Sequence, residues 1–246
     1  MSSLERRTGI ALWRQIADDI RAAIGNGAYE DTGKLPTEAA LATQFGVNRH
    51  TVRAALAALA RDGMIDTTQG RGSFVVARKR LSYPIGPRTR FSAGLEGQVA
   101  RTRSRALESR IEPASAPVAE ALHLAPEAPV LRLDMLGEAD DTPLSRATHW
   151  FEASRFAHLP DHYRAFGSIT RALAACGVED YVRLFTDITA APASAADRQD
   201  LDLQPGAVVL LTLSVNGEVG GGPVQYSRSR FSADRVTLSV RMPGGL

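Results

Sequence analysis

Four polar residues at the start of a helical pattern carry the clearest chemistry in this chain. Arg49, His50, Thr51 and Arg53 follow Asn48, while Val52, Ala55, Leu56 and Leu59 keep an apolar stripe on another face. A guanidinium pairs bidentately with guanine, and a threonine hydroxyl reaches a base or a phosphate, so the pattern suits recognition of a nucleic-acid groove. Downstream, Arg71 stands between Gly70 and Gly72 beside Gln69, where a tight turn would carry a cation to the phosphate backbone or the minor groove. Upstream, Lys34, Thr37 and Glu38 open a shorter helical pattern with a capping residue and a carboxylate in its first turn. The candidate DNA-contacting set is therefore Lys34, Thr37, Glu38, Asn48, Arg49, His50, Thr51, Arg53, Gln69, Gly70, Arg71 and Gly72. Taken singly, each arginine would serve as solvated surface; the order helix, turn, helix, hairpin gives the set its meaning.

A second group of residues has the types that bind anions. Thr89, Arg90, Phe91 and Ser92 follow a Pro- and Gly-containing stretch, and Ser168 and Thr170 open a helix after Gly167. Arg183 and Thr186 lie on one expected strand, and Tyr226 and Arg228 share one face of another because they are two apart. Each has a plainer alternative. Ser168 could simply cap its helix, Arg183 and Arg228 could sit in salt bridges, and Tyr226 and His149 could be core.

Catalytic and metal signatures are missing. The chain has no GxSxG elbow, HExxH pair, phosphate loop or dinucleotide fingerprint. His158 and His162 have metal-pair spacing, but Pro160 between them reads as a loop. Cys176 stands alone, which rules out an intramolecular disulfide and argues against a zinc cluster. No enzyme activity, metal or cofactor is expected.

The elements that must position these residues follow from periodicity. Leu12, Ile16, Ile20 and Ile24 recur every four residues and predict a helix ahead of the helix–turn–helix over residues 35–63, and residues 65–76 read as a hairpin. After residue 89 the period changes to two, with strands expected at 130–136, 147–151, 183–190, 207–215, 224–231 and 236–240. Helices are expected at 116–122, 170–176 and 193–201, with hairpin turns at Asp140-Asp141 and at 216–222. No internal repeat stands out. The domains read as 1–76 for DNA binding, a linker over 77–88, and an α+β domain over 89–246 with a mainly antiparallel sheet.

Charge supports the division. Residues 1–80 hold 12 Lys and Arg against 8 Asp and Glu, whereas residues 81–246 hold 17 against 19. A basic module joined to a slightly acidic one suits nucleic-acid binding in the first and another task in the second. No apolar run is long enough to span a membrane and no signal-peptide pattern is seen, so a cytoplasmic location is expected.

The motifs Leu35-Pro36-Thr37-Glu38, Phe45-Gly46-Val47-Asn48-Arg49, Thr51-Val52-Arg53 and Gly70-Arg71-Gly72-Ser73-Phe74-Val75 resemble the winged-helix signature of GntR-type bacterial transcription factors. The remainder resembles the HutC subfamily, whose effector domain (UTRA) has a chorismate-lyase-like fold. Within it, YPIGPRTRFS, SITRAL and PVQYSRSRFSADRV are similar to regulators of phosphonate metabolism, the PhnF group. The resemblance implies a ligand-responsive repressor of phosphonate genes that binds an inverted-repeat operator as a homodimer. It also implies a small anionic effector, a phosphonate or phosphate, with Arg90, Phe91, Ser92, Ser168, Thr170, Arg183 and Tyr226 carried over by position; Thr89, His149, Thr186 and Arg228 join the candidate set from their residue types and places. A different metabolite, a sugar phosphate or an amino-acid derivative, is the alternative. Many sugar-phosphate sensors of the subfamily carry an Arg-x-Arg pair where this chain has Met135 and Gly137, so Arg90, Arg183 and Arg228 are the cations left to serve.

Overall fold

The computed structural model describes residues 11–29, 31–68, 71–76, 80–88 and 90–240, the side chain of Ser92 excepted. The chain divides into two compact units, Met1–Lys79 and Arg80–Leu246.

The first unit contains helices α1 (Leu12–Gly25), α2 (Glu38–Phe45) and α3 (Arg49–Arg61), then strands β1 (Ile65–Thr68) and β2 (Gly72–Val75). Side chains set the helix limits. Thr37 Oγ1 accepts from the Ala40 amide at 3.2 Å to start α2, and Gly46 ends it in the left-handed conformation, at φ 63°. Asn48 Oδ1 accepts from the Thr51 amide at 2.9 Å to start α3 only two residues later. The apolar faces of the three helices meet in one core of Ile16, Ile20, Leu41, Val52, Leu56 and Leu59, with Ile65 bringing in the hairpin. That burial leaves the opposite face of α3 to solvent.

The second unit starts with β3 (Leu81–Ile85) and a single turn α4 (Phe91–Gly94), followed by β4 (Thr102–Pro113), α5 (Ala116–Leu122), β5 (Pro129–Ala139) and β6 (Thr142–Glu152). Helices α6 (Ala153–Phe156), α7 (Leu159–Phe166) and α8 (Ile169–Ala175) lead to β7 (Tyr181–Pro192), α9 (Ala195–Asp200), β8 (Val208–Glu218), β9 (Pro223–Ser232) and β10 (Val236–Val240). Six strands form one antiparallel sheet in the order β4-β5-β6-β9-β8-β7, and β3 pairs in parallel with β10. The fold is α+β with a mainly antiparallel sheet.

Both faces of the large sheet are covered. On one, α5 packs over Val130, Trp150, Val215 and Tyr226. On the other, α6, α7 and α8 cover Leu131, Leu133, Met135 and Phe151. At one end of that second face the β3–β10 pair packs Tyr83 and Val236 against Phe231 and Leu144.

Three expectations need revision. Residues 81–85, read as linker, are a strand of the second unit; Pro84 lacks an N–H but is tolerated in a pair with free edges. The segment around His158 and His162 is helix α7, with Pro160 in the first turn, where its missing N–H costs nothing. A repeat is present: strand, helix and hairpin occur twice, as β4-α5-β5-β6 and β7-α9-β8-β9, meeting at β6 and β9. Pro113-Ala114-Ser115-Ala116 corresponds to Pro192-Ala193-Ser194-Ala195, and Leu122 and Val130 correspond to Leu201 and Val209. Divergent side chains conceal what the shared topology displays. The strand β4, absent from the periodicity reading, is an edge strand exposed along most of its length, so it carries charge rather than an apolar pattern.

Leu59, fully buried in the first core, is a direct test of that packing. Leu59→Ala should cost the first unit about 2–5 kcal/mol. Urea denaturation followed by Trp13 fluorescence in a Trp150→Phe background reads that unit separately, because Trp13 packs on its core.

Candidate functional site

In the first unit, Arg49, His50 and Arg53 project from the exposed face of α3. Arg53 reaches back to α2 and grips Glu38 as a fork, Nε to Oε1 at 3.2 Å and Nη2 to Oε2 at 2.9 Å. The hydrogen bond from Arg53 holds the Glu38 carboxyl below its ordinary range, helped to a lesser extent by the charges of Arg53, Arg49 and His50. The four groups therefore share one patch at the start of the second helix of the helix–turn–helix. Asn48 and Thr51 are turned to capping: the Thr51 hydroxyl donates to Asn48 Oδ1 at 2.9 Å. Arg71 is exposed at the hairpin turn. Lys34 bridges to Phe74 and lies against Gly72, which has φ +103° and no room for a Cβ beyond 3.2 Å from Lys34 Cε. Gln69 and Gly70 lie outside the described residues.

The second unit contains a cavity of about 410 Å³ on the face of the sheet not covered by α5. Its floor is Met135, Gly137, Ser145, Ala147, His149, Gln225, Ser227 and Ser229. Phe91 of α4 and Arg90 just before it close one side, Arg103 and Ser104 of β4 another, and Ser168 and Thr170 stand at the α7–α8 junction. Tyr181 and Arg183 come from β7. Among the described residues, three arginines line this space and no aspartate or glutamate does.

Arg183 is held by neutral groups, whereas Arg90 has both an aromatic ring and a carboxylate near it. Arg90 stacks on the Tyr181 ring at 4.0 Å, and the Tyr181 hydroxyl bonds Thr170 Oγ1 at 3.0 Å. Asp180 is 4.0 Å from Arg90 but hydrogen-bonds Arg88, whose bond lowers the Asp180 carboxyl. Arg183 Nε donates to Asn216 Oδ1 at 2.7 Å and Nη1 donates to Thr186 Oγ1 at 3.0 Å. Burial pushes the Arg183 pKa down, a sign that its charge is short of compensation. His149 is pushed down to about 4, first by burial and then by the nearby Arg183 charge, so the imidazole is neutral at pH 7.

Of the expected effector set, Arg90, Phe91, His149, Ser168, Thr170 and Arg183 come together around the cavity. Thr186 is one step removed, holding Arg183. Tyr226 and Arg228 belong to the opposite face, where Tyr226 stacks on Trp150 at 5.5 Å and Arg228 lies over the same ring at 5.6 Å. The alternation was read correctly, but period two does not say which face meets the cavity, and here it is the face of Gln225, Ser227 and Ser229. Phe91 lies on the single turn α4. Thr89 is outside the described residues, as is the Ser92 side chain. Sequence reasoning missed Arg103, Asn216, Gln225, Ser227 and Ser229; strand pairing brings them together, Arg103 through β4–β5 and the others through Asn216↔Gln225, His149↔Ser227 and Ala147↔Ser229.

The comparisons fit this division of labour. Residues 97–237 match the UTRA domain, and residues 12–75 match the bacterial regulatory proteins of the gntR family. The chain belongs to the GntR family and carries a UTRA domain. It is 50% identical over 96% of its length to an HTH-type transcriptional regulator of Rhizobium meliloti, covering 97% of that protein. It is 30% identical to the probable transcriptional regulator PhnF of Escherichia coli, over 84% of this chain and 85% of that one. With the mannosyl-D-glycerate transport/metabolism system repressor of Escherichia coli it shares 28% identity over 93% of this chain and 95% of the relative. The crystal structure of PhnF from Mycobacterium smegmatis has the same fold, at TM-score 0.63 and 23% identity, covering 94% of this chain and all of that one. This chain is thus a transcriptional regulator of the GntR/HutC type and not an enzyme. No helix among the described residues is long and apolar enough to cross a membrane.

Met135 and Gly137, the positions singled out in the sequence, both line the cavity. The missing side chain at Gly137 is filled by Phe91: a Cβ there would lie 2.6 Å from Phe91 Cζ and 2.6 Å from Ser145 Oγ. No arginine fits at that position while Phe91 stays. Arg132 offers no substitute, since it faces the other side and is paired with Asp134 at 2.9 Å.

The neutral His149 makes stability depend on pH. Its folded pKa of about 4 lies below the ordinary 6.5, so the unfolded chain binds the extra proton in that window. Stability should fall by up to about 3 kcal/mol as pH drops through it. Urea denaturation at several pH values should show this slope, reduced in His149→Gln.

Proposed function

We propose that this regulator is a repressor that binds an inverted-repeat operator as a homodimer, in the cytoplasm, and responds to a small anion bound in the cavity of its second unit. A phosphonate or phosphate is the preferred effector. The observation that carries the reading is the set Arg90, Arg103 and Arg183 around a space that no carboxylate lines among the described residues. Guanidinium groups match a tetrahedral oxyanion in charge and geometry, and the serine hydroxyls and threonines around it supply further hydrogen bonds. Likeness to PhnF of Escherichia coli supports the phosphonate choice. The hydroxyl-rich floor favours a phosphorylated sugar as the second reading, in line with relatives that regulate sugar-derivative genes.

Dimer formation is supported by apolar side chains exposed along the two edge strands, Leu107 and Ile111 on β4 and Leu184, Phe185 and Ile188 on β7. Two small basic modules reading two half-sites also give a useful specificity that one module lacks. The Glu38–Arg53 fork keeps Arg53 extended across the α2–α3 junction, leaving Arg49 and His50 for base edges and Arg71 for phosphate.

Calorimetry with the full chain tests the effector. Methylphosphonate or phosphate should bind, and Arg183→Ala should abolish binding while leaving operator affinity unchanged. Binding of sugar phosphates alone would favour the second reading, and binding of neutral metabolites alone would reject the anion.

Operator binding separates readers from phosphate contacts. Arg49→Ala should cost about 1–3 kcal/mol on the operator and relax sequence preference. Arg71→Ala should weaken all DNA sequences alike and lower the salt slope by about one. Unchanged affinity in both variants would remove the helix and hairpin from the interface.

A further inference from the structure

We propose that Arg183, Asn216, Gln225 and His149 form one polarised chain of hydrogen bonds that fixes a neutral His149 with its proton on Nε2, and that this N–H selects a ligand bearing an oxygen acceptor. The inference rests on the effector reading for its ligand, but its first half concerns the protein alone.

The direction of every bond follows from one end. A guanidinium can only donate. Arg183 Nε lies 2.7 Å from Asn216, so the atom facing it is the amide oxygen Oδ1. Asn216 Nδ2 then points the other way and donates to Gln225 Oε1. With its oxygen spent, Gln225 turns its Nε2 to His149 Nδ1, at 3.0 Å. An amide N–H donates, so Nδ1 accepts, and the single proton of the neutral ring belongs on Nε2. No freedom is left at any link: flipping either amide would set two donors or two acceptors face to face.

Burial reinforces the order. Asn216 and Gln225 are both buried, at 6% and 3% exposure, so neither can exchange its partner for water at low cost. The charged and titratable groups around the imidazole are Arg183 on β7 and Asp134 on β5, with Arg90, Arg103, Tyr83, Tyr163 and Tyr181 lining the same cavity. Arg183 and burial oppose protonation of His149, and Asp134 favours it more weakly.

The other ring nitrogen is the working end. His149 lines the cavity and is only partly buried, and its Nε2 has no hydrogen-bond partner among the described residues. It is left as a donor without charge. A ligand oxygen placed there gains a hydrogen bond, while an ammonium sets donor against donor. Arg90 and Arg183 demand negative charge in the same space, so the ligand class is an oxyanion that also carries a hydroxyl or carbonyl oxygen, not an amino group.

Long-range proton–nitrogen correlation spectra of the full-length 15N-labelled chain test the first half. The His149 signals, identified by their loss in His149→Gln, should show a pyridine-type Nδ1 and a protonated Nε2, unchanged from pH 8 to pH 5. A protonated Nδ1, or a titration near the ordinary histidine value, would overturn the proposal. Asn216→Leu should disturb this pattern without touching the ring. Should that variant fail to fold, the wild-type spectrum alone decides. Calorimetry with hydroxymethylphosphonate and aminomethylphosphonate tests the second half. The hydroxyl compound should bind more tightly by about tenfold or more, and the difference should shrink in His149→Gln. Equal or reversed preference would overturn the selector role. If neither compound nor any other oxyanion binds, the effector reading fails, whereas the spectra still settle the tautomer.

Discussion

The pairing of β6 with β9 is the contact on which the second unit depends. It joins the two strand–helix–hairpin halves into one sheet, with Trp150 opposite Tyr226 and His149 opposite Ser227. That register sorts the side chains by chemistry. Aromatic and paired charged residues fall on the face covered by α5, and small polar residues fall on the face with the cavity. A slip of one residue would turn β9 over relative to β6 and put Arg228 on the face where Ser227 now stands. The helix α5 anchors the choice, since Val118 and Leu122 bury against Trp150 and Tyr226.

Once the register is set, the polarity of the cavity follows from what can be buried there. An arginine on an inward-facing strand position needs acceptors, and Arg183 finds them in an amide and a hydroxyl rather than a carboxylate. A carboxylate would have neutralised the charge and left little attraction for an anion. Neutral acceptors satisfy the N–H groups and leave the charge available. Gly137 plays a complementary part by removing a side chain from the floor, which lets Phe91 close the space at that end.

The first unit solves a simpler problem. One small core fixes three helices and a hairpin, and whatever that core does not need is free to meet DNA. The Glu38–Arg53 fork ties α2 to α3 on the outside, opposite the apolar contact on the inside. An exposed pair of this kind adds little stability, but it fixes the direction of a long side chain. The first unit thus presents its cations on a rigid frame, and the second surrounds its cations with a cavity.

The helix–turn–helix was legible from residues because each boundary has a local cause: Thr37 and Asn48 cap, Gly46 and Gly63 turn, and the apolar stripe of α3 has the helical period. Strand positions near β5, β6, β8 and β9 were legible for the same reason, since alternation and turn residues act over a few neighbours. The hairpin at Asp140 and Asp141 belongs with them, both residues adopting positive φ. Other features were invisible because they depend on distant partners. Residues 81–85 become a strand only because β10 lies beside them, and β4 is a strand only because β5 supplies its ladder. Period two told that Tyr226 and Arg228 share a face and that Gln225 and Ser227 share the other. Which face meets the cavity was decided by what covers the sheet, a matter of packing between elements far apart in sequence. The chain of bonds from Arg183 to His149 is of the same kind: it joins β7, β8, β9 and β6, and only the sheet brings its four members within reach of one another.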